Sequence, residues 1–201
     1  MPAIVRQKTR FSLPLLGDQV LLLGTKASGG GGTGLDNRLE QLAYNSVRRT
    51  RIWLDQTYID VAAANDYGSC ELCLLPNADI KILAAKIKGG NGTPTGGGVV
   101  LSGFASNAGS ALDVSIGTAA ASNATLSGTM VDVLQKLDGT DVIPGVGNVN
   151  GFTDKSTSGV VISAGASNKL YLNVADPVTA GTATAAFVAC YVDIHFMYLG
   201  A

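Results

Sequence analysis

Four groups of residues in the 201-residue sequence have types and spacings that suggest chemistry. Gly29, Gly31 and Gly34 in "LLLGTKASGGGGTGLDNRLEQL" satisfy G-x-G-x-x-G. Asp55, closing the later run "TRIWLD", stands about twenty residues on, where a ribose-binding acid belongs. The context argues against a dinucleotide site. The first glycine of that motif sits in the tight turn directly after a strand, whereas "TKAS" separates Leu21-Leu22-Leu23 from Gly29, and no helix and parallel strands follow Asp55. A P-loop fails too, because Leu35-Asp36 occupy the Lys-Ser/Thr positions that would hold phosphate and Mg²⁺. The glycines read instead as a hinge, and no cofactor is expected.

The second group is the C-x-x-C of "SCELC". On a regular strand Cys70 and Cys73 differ by an odd number, so their sulfurs are expected on opposite sides, unsuited to one metal. Cys190 and His195, the remaining candidates for a zinc site, are likewise expected on opposite faces. No helix N-terminus is at hand to lower a thiol pKa, so core thiols are expected. Three cysteines cannot all pair within one chain. Third, His195 is the single histidine, with Asp193 on the same strand face ~7 Å away. No G-x-S-x-G elbow accompanies them, and an interface histidine in a protein that is not an enzyme is the expectation. Fourth, Asp138, Asp141 and Asp154 lie near turns without the D-x-[DN]-x-[DN]-G pattern of a calcium loop. Trp53, the sole tryptophan, could face either side of its strand; a core position is expected over a sugar-stacking one.

The elements that would have to carry these groups are short strands. There are 26 glycines and only two glutamates (Glu40, Glu71), and 14% of residues are charged. This composition disfavours long helices and suits strands joined by tight turns. Alternation is clear in "ALDVSIG" (Leu112, Val114, Ile116), in "KLYLNVA" (Leu170, Leu172, Val174) and from Val188 to Tyr198 (Val188, Cys190, Val192, Ile194, Phe196, Tyr198). "RIWLDQTYIDVAA" and "SCELCLLP" are also strand-like. "DIKILAAKIK" changes phase between Ile82 and Ile87, which predicts a bulge near residues 83–85. "TMVDVLQKLDG" fits either period. "GGNGTPTGGG", "AGS", "DGTD" and "NVNGFTD" read as loops. One short helix is predicted over residues 35–47, from Leu35, Leu39, Leu42 and Ala43 at helical spacing behind the capping box Thr33-Gly34-Leu35-Asp36. The predicted fold is all-β, an antiparallel β-sandwich of jelly-roll type spanning residues 35–201, preceded by an extended arm and glycine hinge at residues 1–34.

Charge is unevenly spread. Residues 1–51 hold eight basic side chains (Arg6, Lys8, Arg10, Lys26, Arg38, Arg48, Arg49, Arg51) against Asp18, Asp36 and Glu40, a local charge of +5. The remainder has six basic against twelve acidic residues, −6. Such polarity suits subunits meeting head to tail, or a basic arm on an acidic neighbour; a nucleic-acid binder would show a denser basic face. "LPLLGDQVLLLG", broken by Gly17 and Asp18, is too short to span a bilayer and does not read as a signal peptide. Synthesis in a reducing cytoplasm, with no membrane or nucleic-acid partner, is the expectation.

Three phrases, "LLPNADIKILAAKI", "LDVSIGTAAASNAT" and "KLYLNVADPVTAGTATAAFVACYVDI", resemble the β-sandwich virion proteins of tailed bacteriophages, especially capsid decoration or cement proteins. The resemblance covers roughly residues 70–201. It implies a non-enzymatic protein on the capsid surface, a dimer or trimer, tying neighbouring major capsid subunits together. Arg6, Lys8, Arg10, Arg48, Arg49 and Arg51 are then the expected anchoring residues. The rival expectation is a tail- or fibre-associated receptor-binding module of the same fold.

Overall fold

The computed structural model describes residues 39–44, 47–54, 56–89, 98–104, 112–138, 142–143, 149–152, 159–163, 169–176 and 181–199. They form fourteen strands: β1 (Leu39–Tyr44), β2 (Val47–Leu54), β3 (Thr57–Ala62), β4 (Tyr67–Leu74), β5 (Ile80–Lys88), β6 (Gly98–Ser102), β7 (Asp113–Gly117), β8 (Leu134–Leu137), β9 (Val142–Ile143), β10 (Val149–Phe152), β11 (Val161–Ile162), β12 (Lys169–Ala175), β13 (Thr182–Val188) and β14 (Cys190–Tyr198). The only helical turn among the described residues is the 3₁₀ segment Gly128–Met130. Every strand pairing is antiparallel. Sheet A runs β1-β2-β14-β5-β11, sheet B β3-β13-β6-β10-β9 and sheet C β4-β12-β7-β8.

The three sheets are sections of one wound ribbon. β14, β13 and β12 lie between β2, β3 and β4 on one side and β5, β6 and β7 on the other; β11, β10 and β8 flank the latter. Sheets A and C therefore carry the two four-strand orders of a jelly roll, and sheet B is the stretch where the same strands pass from one wall to the other. The ladder between β2–β3 and β13–β14 keeps a constant register from Val47↔Met197 to Ala62↔Thr182. It is interrupted between the Leu54↔Cys190 and Thr57↔Phe187 pairs, where Gln56 (φ 57) and Ala189 (φ 49) each take a left-handed conformation. The inward set changes parity there in both strands at once, from Thr50, Ile52 and Leu54 to Thr57, Ile59 and Val61, and from Phe187 to Cys190. The paired kinks re-aim both strands without losing register, so both sheets pack their apolar side on a single core. On the other side of β13 and β14, Lys88 of β5 pairs with Tyr191 and Gly98 of β6 pairs with Val188.

Several sequence expectations hold. Leu112, Val114 and Ile116, and Leu170, Leu172 and Val174, are fully buried. β5 carries the expected bulge: His195 pairs with Ala84 and Phe196 with Ile82, leaving Leu83 as the extra residue that returns Ile80, Ile82, Ala85 and Ile87 to one face.

Others are corrected. The helix predicted over residues 35–47 is not formed. Residues 39–44 are β1 and β2 begins at Val47, paired as a tight hairpin from Tyr44↔Val47 to Leu39↔Ile52. An isolated helix of that length is marginal in water, whereas a strand here satisfies the backbone groups that β2 would otherwise leave at a sheet edge. "NVNGFTD" is not wholly loop, because Val149–Phe152 is β10 between β6 and β9. Val188 drops out of the final alternating set because of the kink at Ala189, and Tyr198 projects beyond the core. The arm, the glycine hinge, the capping box and Asp55 lie outside the described residues.

Sheet C has a second, smaller apolar cluster on its outer side. Residues 118–131 cross it, packing Leu126 and Met130 against Ala175 with Tyr67, Ala119, Ala121 and Val131 around them. Ser115 and Asn173, outward on their strands yet buried, donate hydrogen bonds to the Met130 carbonyl, and Asn173 also bonds Ala119 and Ala121. Gly117 is required beneath this segment, since a Cβ there would collide with the Thr129 carbonyl oxygen and the Met130 backbone.

Candidate interaction face

The outward side of sheet A collects charged and aromatic residues because the two-residue period of β2, β14 and β5 sends every other side chain away from the core. Cross-strand register arranges them in rows: Trp53, Tyr191 and Lys88; then Arg51, Asp193 and Lys86; then Arg49, His195 and Ala84; then Val47, Met197 and Lys81. Along β2, β14 and β5 this face sets Arg49, Arg51, Lys81, Lys86 and Lys88 around Asp193.

Asp193 fastens the face together. Arg51 donates from Nε to Oδ1 (2.7 Å) and from Nη2 to Oδ2 (2.6 Å). Arg49 approaches from the adjacent row, its Nε and Nη2 lying 3.2–3.3 Å from the carboxylate oxygens. The Asp193 side chain is only 5% exposed, and those of Arg49 and Arg51 are 22% and 21% exposed. Burial pushes the Asp193 carboxyl up, but the hydrogen bonds and charges of Arg51 and Arg49 more than reverse this and hold it below its ordinary value. The Arg51 guanidinium also lies over the Tyr191 ring, 3.9 Å from its centroid, and 5.5 Å from that of Trp53. The two rings contact each other at 5.2 Å in a tilted arrangement. Arginine's planar fork permits both the bidentate pairing and the stacking; a lysine could do neither.

The expected anchoring residues separate. Arg49 and Arg51 come together on this face. Arg48 has the parity of the core side and is exposed at the rim where β2 outruns the core. Arg6, Lys8 and Arg10 lie outside the described residues. Lys81, Lys86 and Lys88 were not singled out by sequence reasoning, although their outward positions followed from the predicted β5 bulge. Trp53 faces outward, half-buried beside Tyr191 and under Arg51, and is not a core residue.

His195 does not form a catalytic dyad in this structure, because the Asp193 carboxylate is engaged by two guanidinium groups. Burial lowers the His195 pKa; the Asp193 charge opposes this, while Arg49, Lys86 and Arg51 reinforce it. Half-buried and neutral near pH 7, it is one more polar side chain of the face.

The thiols are core groups, although the expectation of opposite-facing sulfurs is corrected. Cys73 pairs with Leu170 and Glu71 with Tyr171, so Leu72 is an extra residue and the bulge turns Cys73 to the same interior as Cys70. Burial pushes both thiols up to about 12. Cys190 is also fully buried, its Sγ 3.0 Å from the Gly98 carbonyl oxygen. Among the described residues no group of three or more His, Cys, Asp or Glu side chains is placed to hold a metal ion. No helix among them is long and apolar enough to cross a membrane. Asp138 is exposed just after β8, and Asp141 and Asp154 lie outside the described residues.

The opposite wall is acidic. Three acids meet where β4 and β7 begin and β12 ends: Asp66, Asp113 and Asp176. Asp176 is 2% exposed and, among the described residues, neither carboxylate oxygen has a hydrogen-bond partner. Burial, with the charges of Asp113 and Asp66, raises its pKa to about 6. Burial also raises Asp113, against the pull of its 2.9 Å pairing with Lys136.

No protein-family model matches the chain, and no curated protein matches it. A solved chain described as "Cyanophage Pam1 capsid asymmetric unit" aligns with 99% of this chain and 100% of its own length, at 13% identity and a TM-score of 0.40, too distant to transfer fold or function.

Proposed function

We propose that this protein is a structural component of a virus particle, a non-enzymatic capsid decoration or cement protein that binds and stabilises a lattice of major capsid subunits. The observation that carries the reading is the outer face of sheet A. Its cations are displayed on a rigid β-surface and held in place by Asp193 and by stacking on Tyr191, an arrangement suited to contact with another protein. The jelly-roll strand order is compatible with this role, as it is with several others. The phrases resembling tailed-phage virion proteins supply the capsid context, and the basic residues Arg6, Lys8 and Arg10 would extend the contact onto an adjacent subunit. The particle surface is the proposed location, with self-association as a dimer or trimer.

The test is occupancy on purified capsid shells that lack the protein. Full-length protein should bind at saturable stoichiometry, and protein lacking residues 1–28 should bind much more weakly. Undiminished occupancy after truncation would refute the anchoring role of those residues. Failure of full-length protein to bind any shell, combined with hits on a glycan array, would replace the decoration reading with the receptor-binding one.

A further inference from the structure

Folding redistributes charge in a way the linear order does not show. Of the twelve acids beyond residue 51, six gather on sheet C and its connections: Asp66, Glu71, Asp113, Asp132, Asp138 and Asp176, against only Lys136 and Lys169. Three of the six basic residues beyond residue 51, Lys81, Lys86 and Lys88, join Arg48, Arg49 and Arg51 on sheet A. The acids described there are Asp193 on β14 and Asp79 beside β5, with Glu40 paired to Arg51 at the β1 position. Because sheets A and C turn their inner sides to one core, their outer sides look away from each other.

We propose that the outer side of sheet A is a docking surface for the sheet C side of a second copy of this chain. The occupant follows from complementarity: a basic wall and an acidic wall on opposite sides of one rigid body fit each other when copies stack head to tail. A formal net charge of −1 at pH 7 leaves little overall repulsion between copies. The contact is heterologous, basic wall to acidic wall, so it builds rings or a lattice and not a closed pair with a two-fold axis. It uses the same face as the proposed capsid contact, so one copy's sheet A makes one contact or the other, and purified chains suffice to make this one.

The test uses two charge-reversed variants of the full chain, each studied by sedimentation velocity across a salt series. Lys81→Glu/Lys86→Glu makes both walls acidic, and Glu71→Lys/Asp138→Lys cancels the net charge of the acidic wall, leaving four acids against four lysines. Wild-type protein should associate at low ionic strength, with its apparent Kd rising at least about tenfold as salt approaches ~0.5 M. Each variant alone should lose association by a similar factor, and an equimolar mixture should regain it, since the unaltered basic wall of one then meets the unaltered acidic wall of the other. Unchanged association of either variant, or variants that keep the wild-type melting temperature but fail to recover on mixing, would overturn the proposal. If a variant does not fold, the wild-type series decides: association insensitive to salt, or none at low salt, overturns it. Capsid occupancy is measured separately, so failure of this contact and failure of the capsid reading are distinct results.

Discussion

Replacing Asp176 with asparagine should stabilise the protein at neutral pH, which is unusual for a change at a buried polar residue. The carboxyl is 2% exposed, no described residue hydrogen-bonds its oxygens, and Asp113 and Asp66 add like charge. Its pKa rises from 3.8 to about 6, so its ionised form is disfavoured in the folded state by about 3 kcal/mol at most. The folded state holds this proton more tightly than the unfolded state. No penalty exists below about pH 4, where both are protonated; it grows as pH rises towards 6 and is complete above. Asparagine keeps the shape and cannot ionise. Denaturation of both proteins from pH 4 to 8 should give curves that coincide near pH 4 and separate towards pH 7. There the variant should lead by about 2–3 kcal/mol, on the order of 5–10 °C in Tm for a chain of this size. A shallower slope of the same sign should persist in the variant, because Asp113 is also raised. A variant no more stable than wild type at pH 7–8, or a separation largest at pH 4, would refute the reasoning.

Asp193→Ala should cost about 2–3 kcal/mol in chemical denaturation. This is less than the penalty for breaking a fully buried pair, because the two stranded guanidinium groups retain some solvent. The stabilisation that Asp193 provides is present at neutral pH and should be lost as pH falls through the depressed value of its carboxyl, giving wild-type protein an acid limb that Asp193→Asn lacks. Gly117→Ala should displace residues 118–131 from sheet C, seen as a loss of several degrees in Tm and faster proteolytic cleavage within that segment. Cys70 and Cys73, held up at about 12, should resist a thiol-reactive disulfide at pH 8 in the native protein and react fully once it is unfolded. His195→Ala should weaken capsid binding far less than loss of Arg51, since Asp193 holds Arg49 and Arg51 without using the imidazole.

Much of the fold was legible because strand alternation is a local property. Leu170, Leu172 and Val174 alternate in the sequence and are buried in the structure, and the phase slip in β5 announced its bulge. β1 was misread because Leu39 and Leu42 stand at helical spacing, and only the edge of β2 makes a strand the better outcome. The bulge at Leu72 was invisible, since "SCELC" keeps no repeated apolar phase on which a slip could register. Of the candidate site, Arg49 and Arg51 could be named from their cluster, but not the aspartate 142 residues beyond Arg51 that fastens them.

The sequence by itself determined an all-β chain with a core of alternating aliphatic residues, core thiols, and a charge imbalance between its first 51 residues and the rest. Composition and period-two patterning act within a few residues, so they survive without knowledge of partners. Only the tertiary structure decided which strands lie side by side, and with that the pairing of Arg49 and Arg51 with Asp193, the entry of the β5 lysines into the same face, and the isolation of Asp176 among acids. These depend on strand order and register, which bring together residues far apart in the chain; electrostatics acts through those distances and the local burial, not through sequence separation.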